Sequence, residues 1–313
     1  MKPFCISRNR KIATGILACS AVCSVWAQTG EKPKEPSTPF EVSGQAPAQA
    51  ALAAHEAELR HDLELHPQSA STLYNLGLVL RQENKPKESL EIYTQAAQQQ
   101  KPDAEQLRSV ALDYVLLNDY PDAIRWLETA LSIDPKDVEV LYSLGRCFYT
   151  QGDYRKAEVL YLQVLQIKPD HLKAEENLGL AYDAENRPEN AEETLRAAAA
   201  LARQQASDEW PFLNYGSVLL DHDRASEAVP YLQKAVTIAP KSAICHEKLG
   251  RALEQSGKAL DGVRELEMAV QLDPKSSSIH FELGHTYRQV GNLDKARAEF
   301  AVSEELIHER DRK

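Results

Sequence analysis

The chain has 313 residues, 43% of them apolar and 27% charged, a balance that builds packed cores and excludes a disordered tail or a fibre. The formal net charge is −11, but Lys2, Arg8, Arg10 and Lys11 stand in the first 27 residues with no acid among them. The rest of the chain holds 32 basic against 47 acidic side chains, a net of −15. It contains no block of about five or six Lys or Arg, so the balance excludes nucleic acid as a partner.

In chain order, those four cations precede an apolar run from Ile12 to Ala27 that ends in Val25-Trp26-Ala27. This pattern predicts a secretory signal peptide over 1–27, cleaved after Ala27, and a periplasmic or secreted protein. A membrane anchor is the competing reading, but the run falls short of the ~20 residues needed to span. A third reading takes Ile16-Leu17-Ala18-Cys19 as a lipobox, with Cys19 lipidated and the protein held at a membrane. Three of the five Cys lie in the signal, which leaves Cys147 and Cys245 as two expected free thiols packed as small apolar residues. Residues 28–47 carry four Pro and few large apolar side chains, and predict a flexible tether.

From residue 48 onward apolar residues recur at helical spacing, beginning with a single helix at about 48–66. Self-similarity follows. Gly77, Gly145, Gly179, Gly216, Gly250 and Gly284 each come one residue after a Leu or Tyr, with Ala111 midway between the first two. The common interval is 34, and one interval of 37 marks an insertion around Gln204 to Ser207. Twelve residues after each lies Ser89, Ala123, Ala157, Ala191, Ala228, Gly262 or Ala296, and large residues such as Tyr93, Leu127 and Phe300 fill the spaces between. Small residues at matched places let two helices cross closely. Pro67, Pro135, Pro169, Pro240 and Pro274 follow second helices. Gly152, Gly257 and Gly291 mark turns within units, and Pro86, Pro121 and Pro188 open second helices. Pro230 falls inside a second helix and is expected to shorten or kink it.

These residues resemble the tetratricopeptide repeat family. The segment VEVLYSLGRCFYTQGDYRKAEVLYLQVLQIKP follows its pattern throughout. The resemblance implies an all-α fold, a right-handed α-solenoid of about seven helix-turn-helix units with a preceding N-terminal helix. The units fall at about 70–103, 104–137, 138–171, 172–205, 209–242, 243–276 and 277–310. Glu304 stands where earlier units have Ala, Leu or Val, so the last helix ends polar. The extra C-terminal helix usual in the family is missing, which leaves Phe300 partly exposed and suggests a weak homodimer contact through the C-terminal helix.

No P-loop, GxSxG, GxGxxG, HExxH or CxxC occurs, so no catalytic, cofactor-binding or metal residue is expected, and His55, His61, His66, His280 and His285 are read as solvated or interface side chains. Function is then expected in surface. The family implies that first helices line a concave groove for an extended peptide or a partner helix. Its columns here give Tyr74, Leu78, Arg108, Leu112, Tyr142, Arg146, Tyr149, Leu180, Asp183 and Arg251 as groove candidates, with Tyr142, Arg146 and Tyr149 foremost. The columns are nearly neutral and part aromatic, which suits a peptide of mixed character. The Lys and Asn of the family's chaperone-tail clamp are replaced by residues such as Tyr74, Leu78, Arg108 and Leu112, so that clamp is not expected. The reading is a non-enzymatic protein-interaction scaffold. An envelope assembly factor for a pilus or secretion system is the alternative, and a regulatory subunit of an enzyme complex comes third.

Overall fold

The computed structural model describes residues 46–205 and 208–312, so the signal and nearly all of the tether lie outside the described residues. Among the described residues the chain forms fifteen α-helices and no strand. The lone first helix is α1 (Ala46–Leu65). The pairs after it are α2 (Ala70–Gln82) with α3 (Pro86–Gln99), α4 (Ala104–Leu116) with α5 (Tyr120–Ile133), and α6 (Val138–Thr150) with α7 (Tyr154–Ile167). Next come α8 (Leu172–Ala184) with α9 (Pro188–Gln205), and α10 (Trp210–Asp221) with α11 (Ala225–Ile238). The last pairs are α12 (Ala243–Gln255) with α13 (Ala259–Leu272), and α14 (Ser277–Gln289) with α15 (Leu293–Asp311). The chain divides into two compact units between Leu160 and Tyr161, inside α7.

Each pair is held where a first helix meets its second. In the first unit a Cβ on Gly77 would stand 2.8 Å from the Tyr93 ring. In the second, a Cβ on Gly179, Gly216 or Gly250 would stand 2.6 Å from Cγ of Leu195, Leu232 or Leu266, and one on Gly284 would stand 2.8 Å from Phe300. The missing side chain is thus the space that the large residue fills. Tyr93 joins Leu73, Tyr74, Ala96 and Val110 in the core of the first unit. Leu195 and Leu232 pack with Phe212, Leu213 and Leu249 in the second, while Leu266 packs with Leu283 and Tyr287 nearer its end.

Local chemistry repeats with the same period. Five of the seven first helices open on a side-chain cap: Ser69, Asp103, Asp137 and Ser276 accept backbone N–H bonds, and His171 does so through Nδ1. The turn inside each pair requires one left-handed residue. Gly152, Gly257 and Gly291 fill that place as the sequence suggests, but Asn84, Asn118, Asn186 and Asp223 fill it in the other pairs, at φ from 56° to 60°. Of the two effects expected of Pro230, shortening does not occur: α11 keeps the 14 residues of α3, α5 and α13. Pro230 and Ser226 are both exposed, so the Ser226 carbonyl deprived of its donor has water to turn to.

Two consecutive pairs exchange an apolar contact for a polar clasp. Leu73 and Ile92 occupy matched places in α2 and α3. The same places hold His246 and Glu265 in α12 and α13, and His280 and Glu299 in α14 and α15. His246 Nδ1 lies 2.7 Å from Glu265 Oε2 and its Nε2 lies 3.1 Å from the Pro240 carbonyl oxygen; His280 repeats this with Glu299 at 2.6 Å and Pro274 at 3.2 Å. A carbonyl oxygen only accepts, so each Nε2 carries a hydrogen and ties the pair to the proline that leads into it. Both rings are buried.

Two predictions follow from these columns. Gly216→Val should cost about 1–3 kcal/mol by overpacking Leu232. Gly257→Val should cost about 1–2 kcal/mol for its φ of +83°, whereas Gly257→Asn, which copies Asn84, should cost clearly less; urea denaturation measures all three. At the clasp, Glu265→Leu alone strands a buried ring nitrogen and should cost about 1–3 kcal/mol. The double change His246→Leu/Glu265→Ile should recover most of that loss, a cycle read by the same denaturation.

Candidate interaction surface on the first helices

In the first unit α2 and α4 pack along each other. Arg81 Nη1 donates to the Ser109 carbonyl at 3.5 Å, and burial lowers the Arg81 pKa from its ordinary value. Tyr74 donates its hydroxyl to the Gln100 carbonyl at 2.8 Å, and burial pushes that phenol up to about 12. Tyr74 is an internal strut in consequence. Leu78, Arg108 and Leu112 stay partly exposed on this face.

Burial reverses the order expected among the ten candidates. Tyr142, Arg146 and Tyr149, foremost in the sequence, are only 7%, 5% and 3% exposed. The Arg146 guanidinium lies 5.9 Å over the Tyr142 ring, and Tyr149 meets Tyr154 edge-on at 5.2 Å. Tyr74 and Leu180 are buried as well, while Asp183 and Arg251 are partly exposed with Leu78, Arg108 and Leu112. Aromatic rings at these places are large enough to reach the neighbouring helices, so they become packing.

The second unit opens toward its end. In α10 every residue from Pro211 to Leu220 is buried, whereas Ile244 on α12 is 41% exposed and Phe281 on α14 is 54% exposed. Three polar rungs join α12 to α14 between them. Ser278 Oγ donates to Glu247 Oε1 at 3.0 Å, Arg251 Nε lies 3.6 Å from Glu282 Oε1, and His285 Nδ1 lies 3.5 Å from Glu254 Oε1. Burial raises the Glu247 pKa, partly offset by the Ser278 bond. Arg288 is exposed and reaches over Phe300 at 5.9 Å, and Phe300 stands 5.6 Å from Phe281. The face therefore offers two apolar side chains on a frame of mixed charge. Arg251 alone of the ten candidates belongs to it; Ile244, Glu282 and His285 were absent from them. Column position did not single them out: Phe281 follows Tyr74, Tyr142 and Leu213, all buried in earlier pairs, whereas the column of Ile244 is already exposed at Ser71, Glu105 and Glu139.

The thiols support no chemistry at neutral pH. Cys147 and Cys245 are free and buried, and burial pushes their pKa values up to about 12 and about 11, so both stay protonated and unreactive. Among the described residues no group of three or more His, Cys, Asp or Glu is placed to hold a metal ion, and no helix is long and apolar enough to cross a membrane.

With this geometry in hand, comparison with known proteins is informative. Family models described as tetratricopeptide repeat match residues 43–105, 138–171, 176–205 and 265–298, and one described as TPR repeat matches 111–152. The BBSome complex member BBS4 of Bos taurus is 29% identical over 118 residues, which are 38% of this chain and 22% of that protein. The chain thus spans about a fifth of the length of the curated relatives it matches. Among solved structures, Pseudomonas aeruginosa PilF superposes with a TM-score of 0.60 at 18% identity, over 70% of this chain and 97% of that one. A tetratricopeptide repeat protein of Parabacteroides merdae gives 0.59 at 18% identity, over 76% and 93%. Identities this low show the fold alone. The matched models and the repeated helix pairs agree: this chain belongs to the tetratricopeptide repeat family.

Proposed function

We propose that this protein is a non-catalytic interaction scaffold, exported through its N-terminal signal, which holds a segment of a partner protein along the first helices of its last two pairs. The observation that carries the reading is the exposure of Phe281 and Ile244 beside Arg251, His285 and Arg288. Large apolar side chains bared on a framed surface mark contact sites. The α12–α14 rungs hold the backbone of that surface in place before a partner arrives, which lowers the ordering cost of binding. The partner segment expected is extended or helical, with one apolar anchor for Phe281 and charges of both signs for the rungs. Membership of the repeat family is consistent with a scaffold role, and the sequence contains no motif for catalysis.

Two measurements test it. Mature protein used as bait against envelope extract should retain a partner that Phe281→Ala loses by at least about tenfold in affinity, with helix content unchanged by circular dichroism. Equal retention by both would remove the assignment of the surface. Intact mass of the exported protein should give a chain starting at Gln28; a lipid mass on Cys19 would instead make it a membrane-held protein.

A further inference from the structure

One pair of side chains breaks the small-residue pattern inside the first unit. Ser89 sits where every other pair has Ala or Gly, and Asp113 sits in a column otherwise filled by Val79, Cys147, Ala181, Val218, Ala252 and Thr286. Both are fully buried, at 0% exposure. Ser89 Oγ lies 2.8 Å from the Gly77 carbonyl oxygen and 2.6 Å from Asp113 Oδ2, so it links α2, α3 and α4. The other carboxyl oxygen, Oδ1, has no hydrogen-bond partner.

Counting hydrogens decides the state of this chain. A serine hydroxyl has one hydrogen, and a carbonyl oxygen only accepts. If Asp113 is ionised, the Ser89 hydrogen can satisfy the carboxylate or Gly77, and one of the two close contacts is left without a hydrogen. If Asp113 carries a proton, Oδ2–H donates to Ser89 Oγ and Ser89 donates to Gly77, and both contacts are satisfied. The unpartnered Oδ1 then belongs to a neutral carboxyl, which is far cheaper to bury than a carboxylate.

We infer that Asp113, Ser89 and the Gly77 carbonyl form a proton-dependent latch between the first and second helix pairs, closed when Asp113 is protonated and strained open when it ionises. The groups facing Asp113 are few. Arg81 from α2 attracts its charge without a hydrogen bond to it, Ser89 and Tyr93 face it from α3, and among the described residues α5 and α6 bring no group that acts on it. Burial outweighs both Ser89 and Arg81 and pushes the carboxyl up to about 7. The sign follows. Below the ordinary value of 3.8 the group is protonated whether the latch is closed or open. Between there and about 7 only the closed state keeps its proton, so stability is lost as pH rises through this window and levels off above it. The latch therefore makes the junction of α2, α3 and α4 loosen as pH rises from acid toward neutral.

Hydrogen exchange of the mature full chain, corrected for the intrinsic pH effect, reads this directly in segments from α2, α3 and α4. Opening should increase about tenfold per pH unit between pH 5 and 7 and stay level above 8. Asp113→Asn presents an N–H where the acid had its O–H, so its opening should change less than about threefold over the same range. A wild type with the flat profile of Asp113→Asn, or a variant with the slope of the wild type, overturns the latch. Should Asp113→Asn fail to fold, Ser89→Ala/Asp113→Val, which copies the other pairs, supplies the flat reference. Carbon-13 titration of the Asp113 carboxyl in the unaltered protein is an independent check, and a midpoint near that of an exposed aspartate also overturns the proposal.

Discussion

The structure depends on one close approach, the crossing of a first helix over its second at a small residue, a glycine in six of the seven pairs and Ala111 in the other. Where Gly179, Gly216 and Gly250 lack a side chain, Leu195, Leu232 and Leu266 enter to within 2.6 Å of where a Cβ would be. The same exchange, with aromatic rings, operates at Gly77 with Tyr93 and at Gly284 with Phe300. Each unit of the chain is thus assembled from local contacts, pair upon neighbouring pair, and the stability of such arrays is close to a sum of pair and interface terms.

That additivity gives individual pairs freedom to depart from the pattern. The His246–Glu265 and His280–Glu299 clasps occupy places that are apolar in the first pair, and the Asp113–Ser89 chain occupies places that are small or apolar elsewhere. Buried polar groups of this kind contribute little net stability over an apolar core, but they fix geometry, because their hydrogen bonds form in only one arrangement. The clasps tie α12 and α14, the helices that carry the proposed surface, to the prolines that lead into them.

The helix pairs were legible in the sequence because glycine, alanine and proline repeat with a period that only one class of packing explains. The turns were half legible. Gly152, Gly257 and Gly291 stood out, but Asn84, Asn118, Asn186 and Asp223 serve the same left-handed geometry and blend into ordinary polar composition. Pro230 leaves the length of its helix unchanged because a proline's cost depends on whether its orphaned carbonyl meets water, and that is a property of the fold. The proposed interaction surface was least legible. Column position identifies which side chains lie on first helices, but whether Tyr142 or Phe281 meets solvent depends on what the neighbouring helices cover. The histidine clasps were missed for a similar reason: His246 and Glu265 are 19 residues apart and meet only across a helix pair.

Repeat scaffolds fix a shape and leave recognition to a few exposed side chains, and the surface proposed for that role lies at one end of the second unit. The second helix α13 exposes apolar residues too, with Leu260 at 69% and Met268 at 40%. Hydroxyl-radical footprinting of the protein, alone and with a partner captured as proposed, separates the two faces most directly. The account requires oxidation of Phe281 and Ile244 to fall in the complex while Leu260 and Met268 are unchanged. Protection of Leu260 and Met268 with Phe281 still fully oxidised would contradict it.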